Sequence, residues 1–265
     1  MINPKLKNKT VLITGSNTGI GKHITLSFAE QGANIIIHFL GEKPQIEESF
    51  SLEINFSGKE GAIEIKDAII KDGGNAICVE ADLMDSNHIP KLFDDSERVF
   101  ERVDILVNNA AHCELPDNIF EVTAGNIDRH FNVNTRAAVL LISEFVKRKK
   151  RHRDSWGRII NISTDAAQNF ANQISYGASK AAMEAFTRSI ACEVGHLGIT
   201  VNTVAPGPVQ TGWMTPELVE QVIPNIPLGR IGRPKDIADV VVFLASEQAG
   251  WLTGQVIKVS GGHNL

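Results

Sequence analysis

Seven short runs of apolar, largely β-branched residues recur along the chain: TVLIT (10–14), NIIIHF (34–39), NAICVEA (75–81), VDILVNN (103–109), GRIINIS (157–163), ITVNTVA (199–205) and GQVIKVS (254–260). Helix-length stretches with apolar residues three and four apart separate them. This alternation predicts a parallel sheet, because parallel neighbours need a crossover and a helix usually supplies it. The runs are apolar almost without a break, as a sheet covered on both faces requires. The expected fold is α/β: a doubly wound (Rossmann) parallel sheet of about seven strands with helices on both faces. No linker or shift in composition divides residues 1–265, so a single domain is expected.

Charge and cysteine content narrow the function classes. A net charge of −5 gives no footprint for nucleic acid. The basic run KRKKRHR (147–153) follows AAVLLISEFV at an expected helix C-terminus, where cations favour the dipole, and it reads as a solvated helix end. Cys78, Cys113 and Cys192 are odd in number and scattered without a CxxC pair, so neither a disulfide framework nor a metal site is expected. The lead MINPKLKNKTVLITG shows no signal peptide, and no apolar run is long enough to span a bilayer. The expectation is a cytoplasmic protein with a small-molecule substrate and neither nucleic acid nor membrane as partner.

Residues 40–74 exceed what one crossover helix requires. Residues near 42–58 read as an insertion of mixed, partly strand-like character: a surface flap, a contact between subunits, or a plain solvated excursion.

In TGSNTGIGKHITLSFAEQG, Gly15, Gly19 and Gly21 stand where the first strand turns into the first helix. Glycines let the backbone approach a pyrophosphate closely, and the helix N-terminus supplies positive potential for it. The spacing is G-x-x-x-G-x-G, which a purely structural turn could also carry; its place between first strand and first helix favours the cofactor reading. An NAD-preferring chain would carry a carboxylate at the end of the second strand, where Phe39 and Leu40 stand here. Lys22 and Lys43 are near, so NADP is favoured and NAD is the alternative.

The chain has one tyrosine, Tyr176, in QISYGASKAAMEAF. With Lys180 it falls at i and i+4 of an expected helix, on one face. A phenol titrates near pH 10, and an adjacent ammonium favours the phenolate. A lowering of roughly 2–3 units needs about 3–4 kcal/mol, which one ammonium in a dry pocket, helped by an oxidised nicotinamide, could supply. The pair would then be poised for proton transfer. Alternatively Tyr176 is a core aromatic and Lys180 its solvated neighbour.

Taken together, TGSNTGIG, NNA (108–110), YGASK, VNTVAPGPVQT (201–211), PLGRIGRPKDIADVVVFLAS and LTGQVIKVSGG resemble the short-chain dehydrogenase/reductase family over nearly the whole length. The last two are similar to segments of 3-oxoacyl-carrier-protein reductases. The resemblance implies a cofactor turn of Gly15, Asn17, Thr18, Gly19, Ile20 and Gly21. It places Asp82 with Leu83 at the adenine, and Asn108, Asn109 and Ala110 near the adenosine and ribose. Val209 and Thr211 would position the carboxamide, with Pro206 and Gly207 shaping that loop. Tyr176 would exchange a proton with the substrate oxygen, Lys180 would lower its pKa and hold the nicotinamide ribose, and Asn134 would anchor a water beside the lysine. Asp82 as a turn cap, and Asn134 as an amide satisfying a helix kink, are plain alternatives.

The family also places a hydroxyl after the fifth strand to hold the substrate oxygen. Strand register puts Thr164 there; counting back from Tyr176 by the family's usual interval puts Ser163 there, and Ser163 is the expectation. The region 212–228 should cover the substrate, with Trp213, Met214 and Ile223 suggesting an apolar pocket. A homotetramer or homodimer built on the helices carrying VLLISEFV and AAMEAFTRSIACEV is implied. The resulting expectation is an NAD(P)-dependent oxidoreductase, a 3-oxoacyl-type carbonyl reductase. The alternative is a catalytically silent NADP-binding regulatory protein, disfavoured because Asn134, Tyr176 and Lys180 are all present.

Overall fold

The computed structural model describes residues 3–53, 56–168, 171–212 and 214–264. All seven expected strands form: β1 (Thr10–Ile13), β2 (Asn34–Phe39), β4 (Asn75–Glu80), β5 (Ile105–Asn108), β7 (Gly157–Ile162), β8 (Ile199–Pro206) and β9 (Val256–Val259). They join in one sheet of order β4-β2-β1-β5-β7-β8-β9, parallel throughout. Register explains the unbroken apolar runs. Leu12, Ile36, Leu106, Ile159 and Val201 line up across five strands and feed the core on one face. Their neighbours Val11, Ile13, Ile35, Ile37, Ile105 and Val107 feed the core on the other face. Successive strand residues point to opposite faces, so a doubly covered sheet needs both sets apolar.

The crossovers are α1 (Gly19–Glu30), α2 (Gly58–Lys71), α3 (His88–Phe100), α4 (Ala124–Phe131) running into α5 (Ala138–Arg151), α6 (Ile174–Val194) and α8 (Pro234–Ala245), with a short α7 (Pro216–Val222) before α8. Strand order reverses between β1 and β5, which opens a crevice at their carboxyl ends. Among the described residues no helix is long and apolar enough to cross a membrane.

Two expectations need refinement. The basic run is a solvated helix end at Lys147, Lys150, Arg151, His152 and Arg153, but Arg148 and Lys149 within it are buried. Arg148 bonds Asp94 and Glu97 of α3 and Glu144 of α5, and Lys149 bonds Asp104, just before the central strand β5, and Asp154, so carboxylates pair with both. The insertion is exposed at most of its described positions but is anchored as a surface flap. Its β3 (Ser51–Leu52) pairs antiparallel with β6 (Glu114–Leu115), and Glu47 bonds Arg129 of α4. Residues 54–55 of it lie outside the described residues.

Candidate active site

A cleft of about 1250 Å³ opens along the carboxyl ends of β2, β1, β5, β7 and β8. At one end the glycine turn shapes it by close backbone approach. Gly15 has φ +58°, and a Cβ there would stand 3.0 Å from the Ala110 Cα. A Cβ on Gly21 would run into the Gly15 carbonyl oxygen and the Asn109 amide. Thr18 precedes α1 without capping it through its side chain, so the helix N-terminus faces the cleft open. Bare backbone against an uncapped helix end suits a pyrophosphate, and this part of the cleft fits a dinucleotide. Asn17 donates to Ser57 Oγ and to the Gly58 carbonyl, both at 2.9 Å, tying the turn to the end of the insertion.

Sequence reasoning missed the residue that holds this turn. His38 is buried at the end of β2; its Nδ1 accepts from Gly15 N at 3.0 Å and its Nε2 donates to Ala81 O at 3.0 Å. That pattern needs the neutral ring, and burial lowers its pKa to about 4. A histidine interrupting the apolar stretch of NIIIHF was the available signal.

Of the expected cofactor residues, Gly15, Asn17, Thr18, Gly19, Ile20, Gly21, Asp82, Leu83, Asn109, Ala110, Pro206, Gly207, Val209 and Thr211 line the cleft. Asn108 does not: it is buried beneath α5, donating to Asn161 Oδ1 at 2.8 Å. Asn109 reaches back to the Thr14 and Gly15 carbonyls at 2.9 Å and so braces the turn. Asp82 Oδ1 accepts from Met84 N at 2.9 Å, the turn-cap arrangement, while the residue still faces the cleft. Leu40, Gly41 and Lys43 line the adenosine-side rim, where Glu80 of β4 also stands, its carboxylate against Gly41.

Tyr176 and Lys180 line the opposite end. The Lys180 ammonium is buried, donates to the Ile162 carbonyl at 2.8 Å and lies 5.8 Å from the Tyr176 ring centre. Burial lowers its pKa to about 8. The phenol moves the other way from the expectation. Burial raises it above its ordinary value, and Cys113 and Asp165 add to the rise. The amine is aimed at a carbonyl, so within the chain itself its field does not offset the loss of water.

The two candidate hydroxyls differ in what they bond. Ser163 Oγ donates to Glu184 Oε1 at 2.7 Å, whereas Thr164 Oγ1 accepts from Ala166 N at 3.2 Å and so keeps its own proton to donate. Both face the cleft.

Asn134 does not line the cleft. It sits in a π-helical turn, Asn132–Ala137, with Oδ1 accepting from His112 N at 2.7 Å and Nδ2 donating to His112 O at 2.9 Å and Ser179 Oγ at 3.0 Å. Its amide therefore satisfies backbone at a kink. Around it lies a buried network that the sequence did not reveal. His112 bonds Glu114, Arg129 clasps Glu114 and reaches Glu47, and His130 packs edge-on against Tyr176. Two residues beyond β6, the Asp117 carboxylate accepts from Ser175 N and Tyr176 N at 2.9–3.0 Å, capping the helix that carries the tyrosine. On the substrate side Met214, Leu218 and Val222 line the cleft; Ile223, expected there, is not among the lining residues, and Trp213 lies outside the described residues.

A family model described as enoyl-(acyl carrier protein) reductase matches residues 54–264. The chain is 38% identical over 265 residues to an NADPH-dependent aldehyde reductase 2, chloroplastic, of Arabidopsis thaliana, covering 97% of this chain and 94% of that protein. It is 36% identical over 263 residues to a short-chain type dehydrogenase/reductase of Picea abies, covering 97% and 93%. Among solved structures, the angucycline C-6 ketoreductase LanV with bound NADP superposes with a TM-score of 0.84 at 33% identity, covering 98% and 96%.

Proposed function

The chain belongs to the short-chain dehydrogenase/reductase family, and from that premise we propose that it is an NADP-dependent carbonyl reductase with Tyr176 as proton donor. The observation that carries this reading is the shared cleft: Tyr176, Lys180 and Thr164 face the same space as the glycine cradle. The glycine turn would hold the pyrophosphate, Asp82 and Leu83 the adenine side, and Lys180, Val209 and Thr211 the nicotinamide side. When bound, the reduced nicotinamide supplies a hydride to the carbonyl carbon.

The protein's own groups do the rest. Thr164 donates to the carbonyl oxygen and fixes it beside the phenol. Tyr176 gives that oxygen its proton as charge develops, so C=O becomes CH–OH. A phenol raised by burial holds its proton at neutral pH, which suits reduction. The Lys180 ammonium stabilises the phenolate left behind, and that field acts at the moment of transfer rather than at rest. Asn134 serves as a positioning residue, locking the backbone behind the lysine.

NADP is supported by Leu40 at the end of β2, where an NAD-binding acid would stand, and by Lys43 at the same rim. The named activities of the aldehyde reductase and of the NADP-bound ketoreductase point the same way. A 3-oxoacyl-type substrate suits the apolar wall of Met214, Leu218 and Val222. A homotetramer or homodimer belongs to the same proposal, with Leu140 of α5 and Phe186 of α6 exposed on the helices that would pair. The test is NADPH oxidation, followed by absorbance, over a panel of aldehydes, ketones and 3-oxo esters, repeated with NADH. Turnover with kcat/KM at least about tenfold higher for NADPH is expected; cofactor binding without turnover of any carbonyl would leave a silent binding protein.

A further inference from the structure

The substrate side of the cleft also holds an imidazole that the proton chemistry above does not use. His263, in the turn after β9, lines the cleft together with Asp165, and its Nδ1 lies 2.6 Å from Asp165 Oδ2. Asp165 directly follows Thr164, and its carboxylate is close enough to Tyr176 to act on the phenol. The turn carrying His263 is fixed on two sides. Toward Asp165, Asn264 Nδ2 donates to the Asp165 carbonyl at 3.0 Å, and Lys258 Nζ donates to Gln168 Oε1 and the Asn264 carbonyl, both at 3.0 Å. Toward the substrate loop, Leu228 N donates to the Gly261 carbonyl at 3.0 Å, and a Cβ on Gly262 would stand 2.7 Å from Pro227. The imidazole is thus wedged between the segment bearing the substrate hydroxyl and the loop covering the substrate.

Burying the Asp165 carboxylate is unfavourable, and an apolar pair would fill the same wall at less cost. What the pair accomplishes is orientation. With Nδ1 held by the carboxylate the ring plane is set, and Nε2 makes no bond to another described residue. It belongs to a residue that lines the same cleft as the apolar Met214, Leu218 and Val222. A neutral ring bonded through Nδ1–H accepts at Nε2 from a hydroxyl; a doubly protonated ring donates there to a carbonyl or carboxylate oxygen.

We propose that His263, pinned by Asp165, recognises a second oxygen on the substrate and so directs the enzyme to 1,2- and 1,3-oxygenated carbonyl compounds: dicarbonyls, hydroxycarbonyls, and 3-oxo esters or thioesters. This rests on the carbonyl-reductase reading and narrows it. A site built to hydrogen-bond a substrate oxygen discriminates against the analogue that lacks it, here by about 10- to 100-fold.

The experiment compares two matched pairs, cyclohexane-1,2-dione with cyclohexanone and ethyl 3-oxobutanoate with 2-hexanone, in the wild type, His263→Phe and His263→Gln. The wild type should favour the oxygenated member of each pair in kcat/KM. His263→Phe should collapse that ratio by at least about tenfold, and His263→Gln, which keeps a polar end, should recover part of it. In parallel, the side-chain resonance of His263, assigned by its loss in His263→Gln, should shift when the dione is added and stay still with cyclohexanone. A ratio within about threefold of wild type in both variants, or a resonance indifferent to the dione, overturns the proposal. A resonance that moves in a protein that reduces no carbonyl would uphold the oxygen site and overturn the reductase reading instead.

Discussion

At the glycine end of the cleft the backbone does the shaping, with Gly15 against Ala110, Gly21 against the Gly15 carbonyl, and an uncapped helix end facing inward. At the tyrosine end side chains do it, each held by another side chain or by a backbone group far away in sequence: Ser163 by Glu184, His263 by Asp165, Asn134 by His112. The first kind of site tolerates almost no change at its glycines and is indifferent to much of its surroundings. The second kind can exchange partners pair by pair, which is how one fold serves many substrates.

The largest effect that would test this contrast lies at Tyr176. Tyr176→Phe should lower kcat for carbonyl reduction by about 10²- to 10⁴-fold while NADPH binding, followed by fluorescence titration, weakens far less. Equal losses in both would place the tyrosine in the cofactor end instead. Gly21→Ala should show the reverse: an added methyl runs into the Gly15 carbonyl oxygen, and the Kd for NADPH should rise about 100-fold with any surviving turnover still dependent on Tyr176. Titration of the variant against wild type checks it.

Within the tyrosine end, the bonding of the two hydroxyls ranks them. Thr164→Val should cost about 10- to 100-fold in kcat/KM, the loss of one hydrogen bond to a charge-bearing oxygen. Ser163→Ala, removing a hydroxyl already committed to Glu184, should cost less than about fivefold. The opposite order would show that the count back from Tyr176, not strand register, finds the substrate hydroxyl.

The smallest effect belongs to His38. Its folded pKa is depressed, so the unfolded chain binds the extra proton more readily below about pH 6.5. Its contribution to stability is full at neutral pH and fades as pH falls toward about 4. At pH 5.5 the loss should be about 1.4 kcal/mol, one pKa unit's worth, read by urea unfolding. His38→Gln should lack that part of the slope; an unchanged slope would mean that His38 does not hold the glycine turn in its neutral form.

The same contrast explains what could be read from the chain alone. The strands and the glycine turn were legible because they depend on local pattern: apolar period, and a glycine where a strand meets a helix. The Tyr176–Lys180 face was legible because helical spacing is local too. The direction of the phenol's shift was not, since it depends on burial and on where the lysine points. Nor were His38 to Gly15, Ser163 to Glu184, or His263 to Asp165. Those partners lie 21 to 98 residues apart, and no spacing rule connects a side chain to a partner brought near only by the sheet. The burial of Arg148 and Lys149 within the basic run was hidden for a related reason: their partners Asp94, Glu97 and Asp104 come from earlier elements.

The ribbon of β3 and β6 bears on anyone who would recombine this protein with a relative. One of its strands belongs to the insertion, and the other leads within two residues to the carboxylate that caps the tyrosine helix. Trimming residues 42–53 to a plain loop strips the hydrogen-bonded partner from β6 and the Glu47 anchor from Arg129. Chimeras should therefore inherit residues 42–53 and 112–117 from the same parent, because cutting between them separates two halves of a single mechanical part.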